Sequence, residues 1–365
     1  MKKHALGDKF LLIAATGILL IGSLGLSFFP SPRLSLAENR SLAAFPAFSA
    51  RDLASGAYTA AADRYAEERF PFRGACRAAY AASELLLLRG ECHGVMLCRD
   101  GSLCRRLAVN ERIYGQNLAA LPRLRRILGE TSLSVAIAPR RIDVRREVLP
   151  MLYDTARERV VWEQLPADAV TFLDATDDAQ WYRTDHHWTS EGAYFAYTRL
   201  SHSLGYSPYP ESSFCKKTVS ESFCGSSAAA AGVPQIFSDT VSIWHYEGDC
   251  DYRVMRDTEP APFQGLYDEE KLLGTDQYSL FLGGNCGLLE IDRGNEDERP
   301  VLLVIKDSFA NSLLPFLARH YRILAVDPRY FEGTLAPLAQ RADAALVLCD
   351  MQTLTQTPFF GTLLR

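Results

Sequence analysis

Apolar positions along the chain follow distinct rhythms, and each rhythm predicts an element. Tyr58–Phe70 and Ala75–Leu88 carry helical spacing, separated by the breaker Pro71-Phe72-Arg73-Gly74. Val95–Cys98 reads as a strand running into the turn Arg99-Asp100-Gly101-Ser102, and a further helix is predicted over Tyr114–Leu128. Leu133–Ala138 is a short apolar run closed by Pro139, the mark of a strand buried on both faces. A helix near Thr155–Gln164 leads to a second such strand, Ala169–Leu173. The same alternation returns in Val301–Ile305, Tyr321–Val326 and Ala344–Leu348, with helical segments between them.

Strand, helix and strand at this spacing build parallel α/β units. Residues from about 205 to 285 break the rhythm. They are rich in Ser, Gly and Pro, with β-like segments at Val241–Tyr246, Tyr252–Met255 and Tyr278–Leu282. The pattern therefore predicts one α/β/α domain over 57–365 with a mostly parallel sheet and an irregular, β-containing insertion. A stalk over 31–56 precedes it.

The stretch Phe10–Phe29 is apolar without a charge. Twenty helical residues span about 30 Å, the hydrocarbon thickness of a bilayer. Lys2, Lys3 and Lys9 precede it, which orients the N-terminus to the cytoplasm. The run is longer than a signal-peptide core and ends in Phe28-Phe29-Pro30 rather than small residues. Residues 1–30 are thus expected to be an uncleaved single-pass anchor, with the bulk of the chain outside the cell membrane.

Composition adds exclusions. The chain has 365 residues, 48% hydrophobic and 23% charged, which is ordinary globular usage. Thirty-nine basic against 44 acidic side chains give a net charge of -5, which argues against a nucleic-acid binder. The 9 cysteines include no CxxC pair of zinc-site type.

Two segments carry candidate chemistry. In Asp185-His186-His187-Trp188, a carboxylate and an imidazole stand two residues apart and share one face of an extended segment. Thr189 or Ser190 can cap the helix that follows. A carboxylate beside an imidazole fixes its tautomer, as a general base requires. The second segment is Val301–Ser312, where a buried strand delivers Ser308 to the sheet edge at which ligands bind in open α/β sheets. A rival reading gives Asp185, His186 and His187 to a metal, without the usual helical histidine pair.

The segment Asp185-His186-His187-Trp188-Thr189-Ser190-Glu191-Gly192-Ala193-Tyr194 resembles the signature of the DHHW protein family. That family is similar to the SGNH-hydrolase-like O-acetyltransferases of cell-surface polysaccharides, including the alginate acetylation proteins. Glu38–Leu42, Arg69–Arg73, Phe281–Asn285, Lys306–Ser312 and Asp327–Phe331 resemble its further motifs, in order. The resemblance implies a three-layer SGNH-like domain in which Ser308 is the nucleophile, His187 the base and Asp185 its orienting partner. It implies the Ser308 N–H as an oxyanion donor, with Asn285 or Arg329 as a second; from the residues themselves, His186 and Trp188 are substrate-side candidates. Lys306-Asp307 stands where the related enzymes carry a small residue or Gly before the serine, and a carboxylate there would repel an oxyanion unless it points away.

The implied function is O-acyl, chiefly acetyl, transfer or ester hydrolysis on a cell-surface polysaccharide through an acyl-serine. No cofactor and no metal are implied, and a membrane acyl-donor protein is the expected partner. The alternative is a catalytically inactive SGNH-like surface protein that binds glycan, using aromatic side chains such as Trp181, Tyr182 and Trp188 to stack on sugar rings. A metal-dependent hydrolase is the third reading.

Overall fold

The computed structural model describes residues 13, 16–17, 34–35, 40–70, 72–150, 156–233, 238–294, 296–361 and 363–364. Among them no helix is long and apolar enough to cross a membrane. The expected anchor, Phe10–Phe29, lies outside the described residues apart from positions 13, 16 and 17. The chain divides into two compact units, Met1–Arg89 and Gly90–Arg365.

In the first unit, helices span Ala50–Ser55, Ala57–Arg69 and Arg73–Leu86. The last two are the helices that the apolar spacing predicts. The segment read as stalk is partly built into this unit: Arg69 Nε donates to the Ala43 carbonyl at 2.8 Å. The Phe45 ring meets Tyr65 edge-on at 5.2 Å.

The second unit is organised by an eight-stranded sheet. In chain order its strands are β1 (Ser132–Ala138), β2 (Val170–Thr171), β3 (Arg253–Arg256) and β4 (Phe263–Gln264). They continue as β5 (Leu288–Asp292), β6 (Val301–Lys306), β7 (Arg322–Val326) and β8 (Ala344–Asp350). The spatial order is β4-β3-β5-β7-β6-β8-β1-β2. From β7 to β2 all pairings are parallel, and these are the five runs whose apolar pattern reads as buried strand.

Alternate residues of each central strand enter opposite cores, which explains why these strands are apolar without a break. Leu302, Val304, Leu346 and Leu348 join Ala193, Ala196, Tyr197 and Leu200 of the helix α2 (Ser190–Leu204) on one face. Leu303, Ile305, Ala345 and Val347 join Tyr114, Leu121, Leu124 and Leu128 of α1 (Glu111–Leu128) on the other. Each helix thus buries one apolar stripe against the sheet, giving three layers.

The insertion differs from expectation. Part of it extends the sheet: β3 and the unpredicted β4, with the unpredicted β5 just beyond the insertion, add an antiparallel edge beside β7. Antiparallel strands need no crossover helix, so the α/β rhythm vanishes there while the sheet continues. Cys215–Phe223 and Asp239–His245 pair as a separate hairpin. The first of these escaped the sequence reading because its only buried residue is Phe223. The predicted β-like segment Tyr278–Leu282 is instead a 3-10 turn over Gln277–Leu280, with Phe281 bridging to Tyr267.

Candidate active site

The two candidate segments meet at the carboxyl edge of the parallel strands. β6 ends at Lys306, and Asp307 caps the 3-10 turn Ser308–Ser312 by accepting from the Phe309 N–H at 2.9 Å. Opposite this turn, residues 181–188 fold back on themselves through an antiparallel bridge between Trp181 and Trp188. Thr189 then caps α2 by accepting from the Gly192 N–H.

This loop is pinned from outside. Asp239 accepts from the Arg183 N–H at 2.9 Å, the Thr184 N–H at 2.7 Å and the Thr184 hydroxyl at 2.6 Å. Gly225 donates to Thr184 Oγ1 at 2.9 Å and Ser226 donates its N–H to Asp185 Oδ2 at 2.6 Å. Neither contact has a signal in the sequence, since these partners lie some 40 or more residues from the motif, beyond any local periodicity.

Asp185 Oδ1 accepts from the His187 backbone N–H at 3.0 Å and stands 2.6 Å from His187 Nδ1. His187 Nε2 lies 2.8 Å from Ser308 Oγ. Burial opposes ionisation of Asp185, but the neighbouring imidazoles of His186 and His187 and the hydrogen bonds from His187 outweigh it. They hold its carboxyl well below the usual range. An ionised carboxylate only accepts, so Nδ1 carries the proton and Nε2 presents its lone pair to Ser308. The imidazole is clamped from behind by Tyr278, whose ring stacks on it at 3.9 Å and 5°. The Tyr278 hydroxyl donates to the Ser308 carbonyl at 3.1 Å. Tyr278 is thus a member of the site that the sequence reading missed.

Asp307 points away from the serine hydroxyl. Its two carboxylate oxygens accept from the Phe309 N–H and, at 2.8 Å, from the Asp350 N–H at the end of β8. Burial and then the nearby Asp350 push its carboxyl up to about 6. The repulsion foreseen for a carboxylate beside Ser308 is avoided by direction: the side chain serves the turn. Among the described residues no acceptor is bonded to the Ser308 N–H itself.

The remaining candidates separate. Trp188 is 1% exposed and donates from Nε1 to the Phe309 carbonyl at 3.0 Å and to Ser312 Oγ at 2.9 Å. It is therefore a core residue that props the Ser308 turn, not a substrate-side group. Trp181 and Tyr182 are likewise buried and offer no face for a sugar ring. His186 keeps its Nδ1 against Ser226 Oγ at 2.8 Å, and burial followed by the charge of His187 pushes it down to about 3, so it is neutral. Arg329 is engaged in a two-pronged pair with Asp327, Nε to Oδ1 at 2.8 Å and Nη2 to Oδ2 at 2.6 Å. Asn285 is at the surface, with its Oδ1 accepting from Asn311 of the Ser308 turn at 3.1 Å. Asn285 and Arg329 line a pocket of about 770 Å³ together with Asp257, Tyr330 and Glu332.

Asp185, His186 and His187 could also offer ligand atoms that lie within 4.8 Å of one another. In the described arrangement those atoms are engaged: Asp185 with His187 and Ser226, His187 with Ser308, and His186 with Ser226. A metal there would have to replace those hydrogen bonds.

Residues 172–326 match the model of the DHHW protein family. The crystal structure of a DHHW family protein from Eubacterium siraeum superposes with a TM-score of 0.60 at 17% identity, covering 74% of this chain and 95% of that one. Bacillus cereus PatB1, in a structure with a sulfonyl adduct, superposes with a TM-score of 0.59 at 18% identity, covering 74% of this chain and 99% of that one. The O-acetyltransferase domain of Pseudomonas putida AlgJ aligns at a TM-score of 0.42 and 18% identity, over 72% of this chain and 93% of that one. No curated protein sequence matches the chain. Residues 172–326, with Asp185-His186-His187-Trp188 inside them, are thus similar to the DHHW family, and the chain shares its fold with a solved protein of that family.

Proposed function

We propose that the chain is a serine-dependent O-acyltransferase or esterase that forms an acyl-Ser308 intermediate. One observation carries this reading: His187 holds Asp185 on Nδ1 at 2.6 Å and Ser308 Oγ on Nε2 at 2.8 Å. Oγ attacks the acyl carbonyl carbon as its proton passes to Nε2, and the imidazolium so formed faces the Asp185 carboxylate. The oxyanion is received by the Ser308 N–H and the Asn285 carboxamide, and the leaving oxygen takes the proton back from Nε2. A sugar hydroxyl or a water molecule, deprotonated by the same Nε2, then attacks the acyl-enzyme. Transfer and hydrolysis differ only in which of the two arrives.

The biological setting belongs to the same proposal. The apolar run Phe10–Phe29 behind three lysines supports an anchor with the active domain outside the cell membrane. The resemblance of the motifs to polysaccharide O-acetyltransferases supports an acetyl group as cargo, a cell-surface polysaccharide as acceptor and a membrane protein as donor. PatB1 has been captured with a sulfonyl adduct. Sulfonylation is a reaction of activated nucleophiles, so it makes a suitable probe for this chain.

The test is hydrolysis of p-nitrophenyl acetate by the full chain, alongside labelling with an aryl sulfonyl fluoride. The expected result is turnover lost in Ser308→Ala and His187→Ala, unaffected by chelator, with the label found by mass spectrometry on Ser308. Turnover that survives Ser308→Ala but disappears with chelator would assign Asp185, His186 and His187 to a metal instead. Turnover equal in all three proteins, with no label on Ser308, would leave glycan binding as the function.

A further inference from the structure

Behind the Ser308 turn lies a line of three polar side chains. Lys306, the last residue of β6, is 1% exposed, and its Nζ donates to Asn311 Oδ1 at 2.6 Å. Asn311, equally buried, donates from Nδ2 to Asn285 Oδ1 at 3.1 Å. The order of donors is forced. An ammonium has three donors and no acceptor, so Asn311 must turn its oxygen toward Lys306. Its NH2 is then the group that meets Asn285, which must answer with its own oxygen. The Nδ2 of Asn285 is left without a partner among the described residues, and Asn285 is one of the residues that line the pocket of about 770 Å³.

A free asparagine side chain at the surface presents oxygen or nitrogen with little preference. Here the choice is made two residues back, by a cation that cannot accept. Burial lowers the Lys306 ammonium from its ordinary range, and the carboxylates of Asp327 and Asp307 offset only part of that shift. The backbone holds the other end of the line: Gly284 has φ +90, and a Cβ there would lie 2.6 Å from Ser279 Oγ. Asn285 therefore leaves its turn in a fixed direction.

We propose that Lys306 and Asn311 are positioning residues that lock the Asn285 carboxamide with its NH2 outward, so that it meets the oxyanion as a donor. The inference rests on the acyl-serine reading above. It gives a use to the Lys306-Asp307 pair that otherwise looks out of place before a nucleophile: Asp307 builds the turn, and Lys306 sets the polarity of the donor beside it.

The experiment measures kcat and KM of the full chain on p-nitrophenyl acetate for Asn285→Ala, Lys306→Met, Lys306→Gln and Asn311→Asp. Each is also combined with Asn285→Ala, and folding is followed by thermal unfolding. Asn285→Ala is expected to lower kcat about a hundredfold, the usual loss for one oxyanion donor. Lys306→Met should lower kcat at least about tenfold with KM nearly unchanged, and Lys306→Gln, which can still donate to Asn311, should recover part of that. Asn311→Asp keeps the bond from Lys306 but cannot donate to Asn285, so it should match Lys306→Met. It carries the test should Lys306→Met fail to fold.

In the Asn285→Ala background neither substitution should cost anything further, because each acts through Asn285. Losses that multiply instead would overturn the relay while leaving Ser308-dependent turnover intact. Turnover indifferent to Ser308→Ala would remove the reaction and the relay together.

Discussion

Asp185→Asn will lower kcat on p-nitrophenyl acetate by roughly 10³- to 10⁴-fold while the protein remains folded. The geometry gives the amide no good arrangement. With its oxygen kept toward His187, its NH2 is pressed against the Ser226 N–H that now donates to Oδ2. Flipped, the NH2 faces His187 Nδ1 and the His187 backbone N–H, which both now approach Oδ1. That second arrangement selects the tautomer with its proton on Nε2, which cannot accept from Ser308. In both, the negative charge opposite the developing imidazolium is gone. The native carboxyl is held well below its usual range, so the stability its pairing contributes is complete above about pH 4. It is lost only as pH falls through the depressed folded value. The loss in Asp185→Asn should therefore persist at every pH from neutral to mildly acid. A fall of less than tenfold in a folded variant would remove Asp185 from the mechanism.

Gly225→Ala is expected to reduce kcat about a hundredfold although it replaces none of the three side chains of the triad. A Cβ at Gly225 would stand 2.3 Å from Asp185 Cβ, 2.6 Å from its Oδ2 and 2.7 Å from its Cα. None of these atoms is the far end of a flexible chain, so relief requires moving Asp185 or the segment that carries the Ser226 N–H. The backbone at Gly225, with φ -76, suits alanine, so strain of the glycine's own conformation is not the cause. The cost is positional, of the kind an ångström of displacement brings to an aligned proton transfer. Overpacking should also lower stability by about 1–3 kcal/mol. Thermal unfolding and steady-state kinetics on the same preparation would separate the two effects. Native kcat in folded Gly225→Ala would mean that Asp185 has room to shift without consequence.

Both outcomes depend on packing that lies far from the motif in sequence. The hairpin and turns between 205 and 285, which look like an interruption, supply Gly225, Ser226, Asp239 and Tyr278, and these hold the Asp-x-His pair in place. Their residue types, one glycine, one serine, one aspartate and one tyrosine, are common in loops. Nothing in their local pattern distinguishes a residue that steadies an imidazole from one that solvates a turn. Trp188 shows the opposite error. Its place in the motif suggests contact with substrate, yet its large ring and single donor are satisfied by the core and by the Ser308 turn.

The amino-acid sequence by itself determined the parallel core and the chemistry on offer. Strands buried on both faces must be apolar at successive positions, and helices between them must be amphipathic, so both leave a local period that can be read. The spacing of Asp185 and His187 likewise follows from backbone geometry alone. Only the tertiary structure decided that His187 reaches Ser308, 121 residues away, and that Asp307 turns from the serine. It alone showed that Arg329 pairs with Asp327 through Nε and Nη2, and that Asn311, itself bonded to Lys306, meets the Asn285 amide oxygen. Those outcomes rest on hydrogen bonds between residues distant in the chain, whose directions are set by the sheet that brings the segments together and leave no period behind.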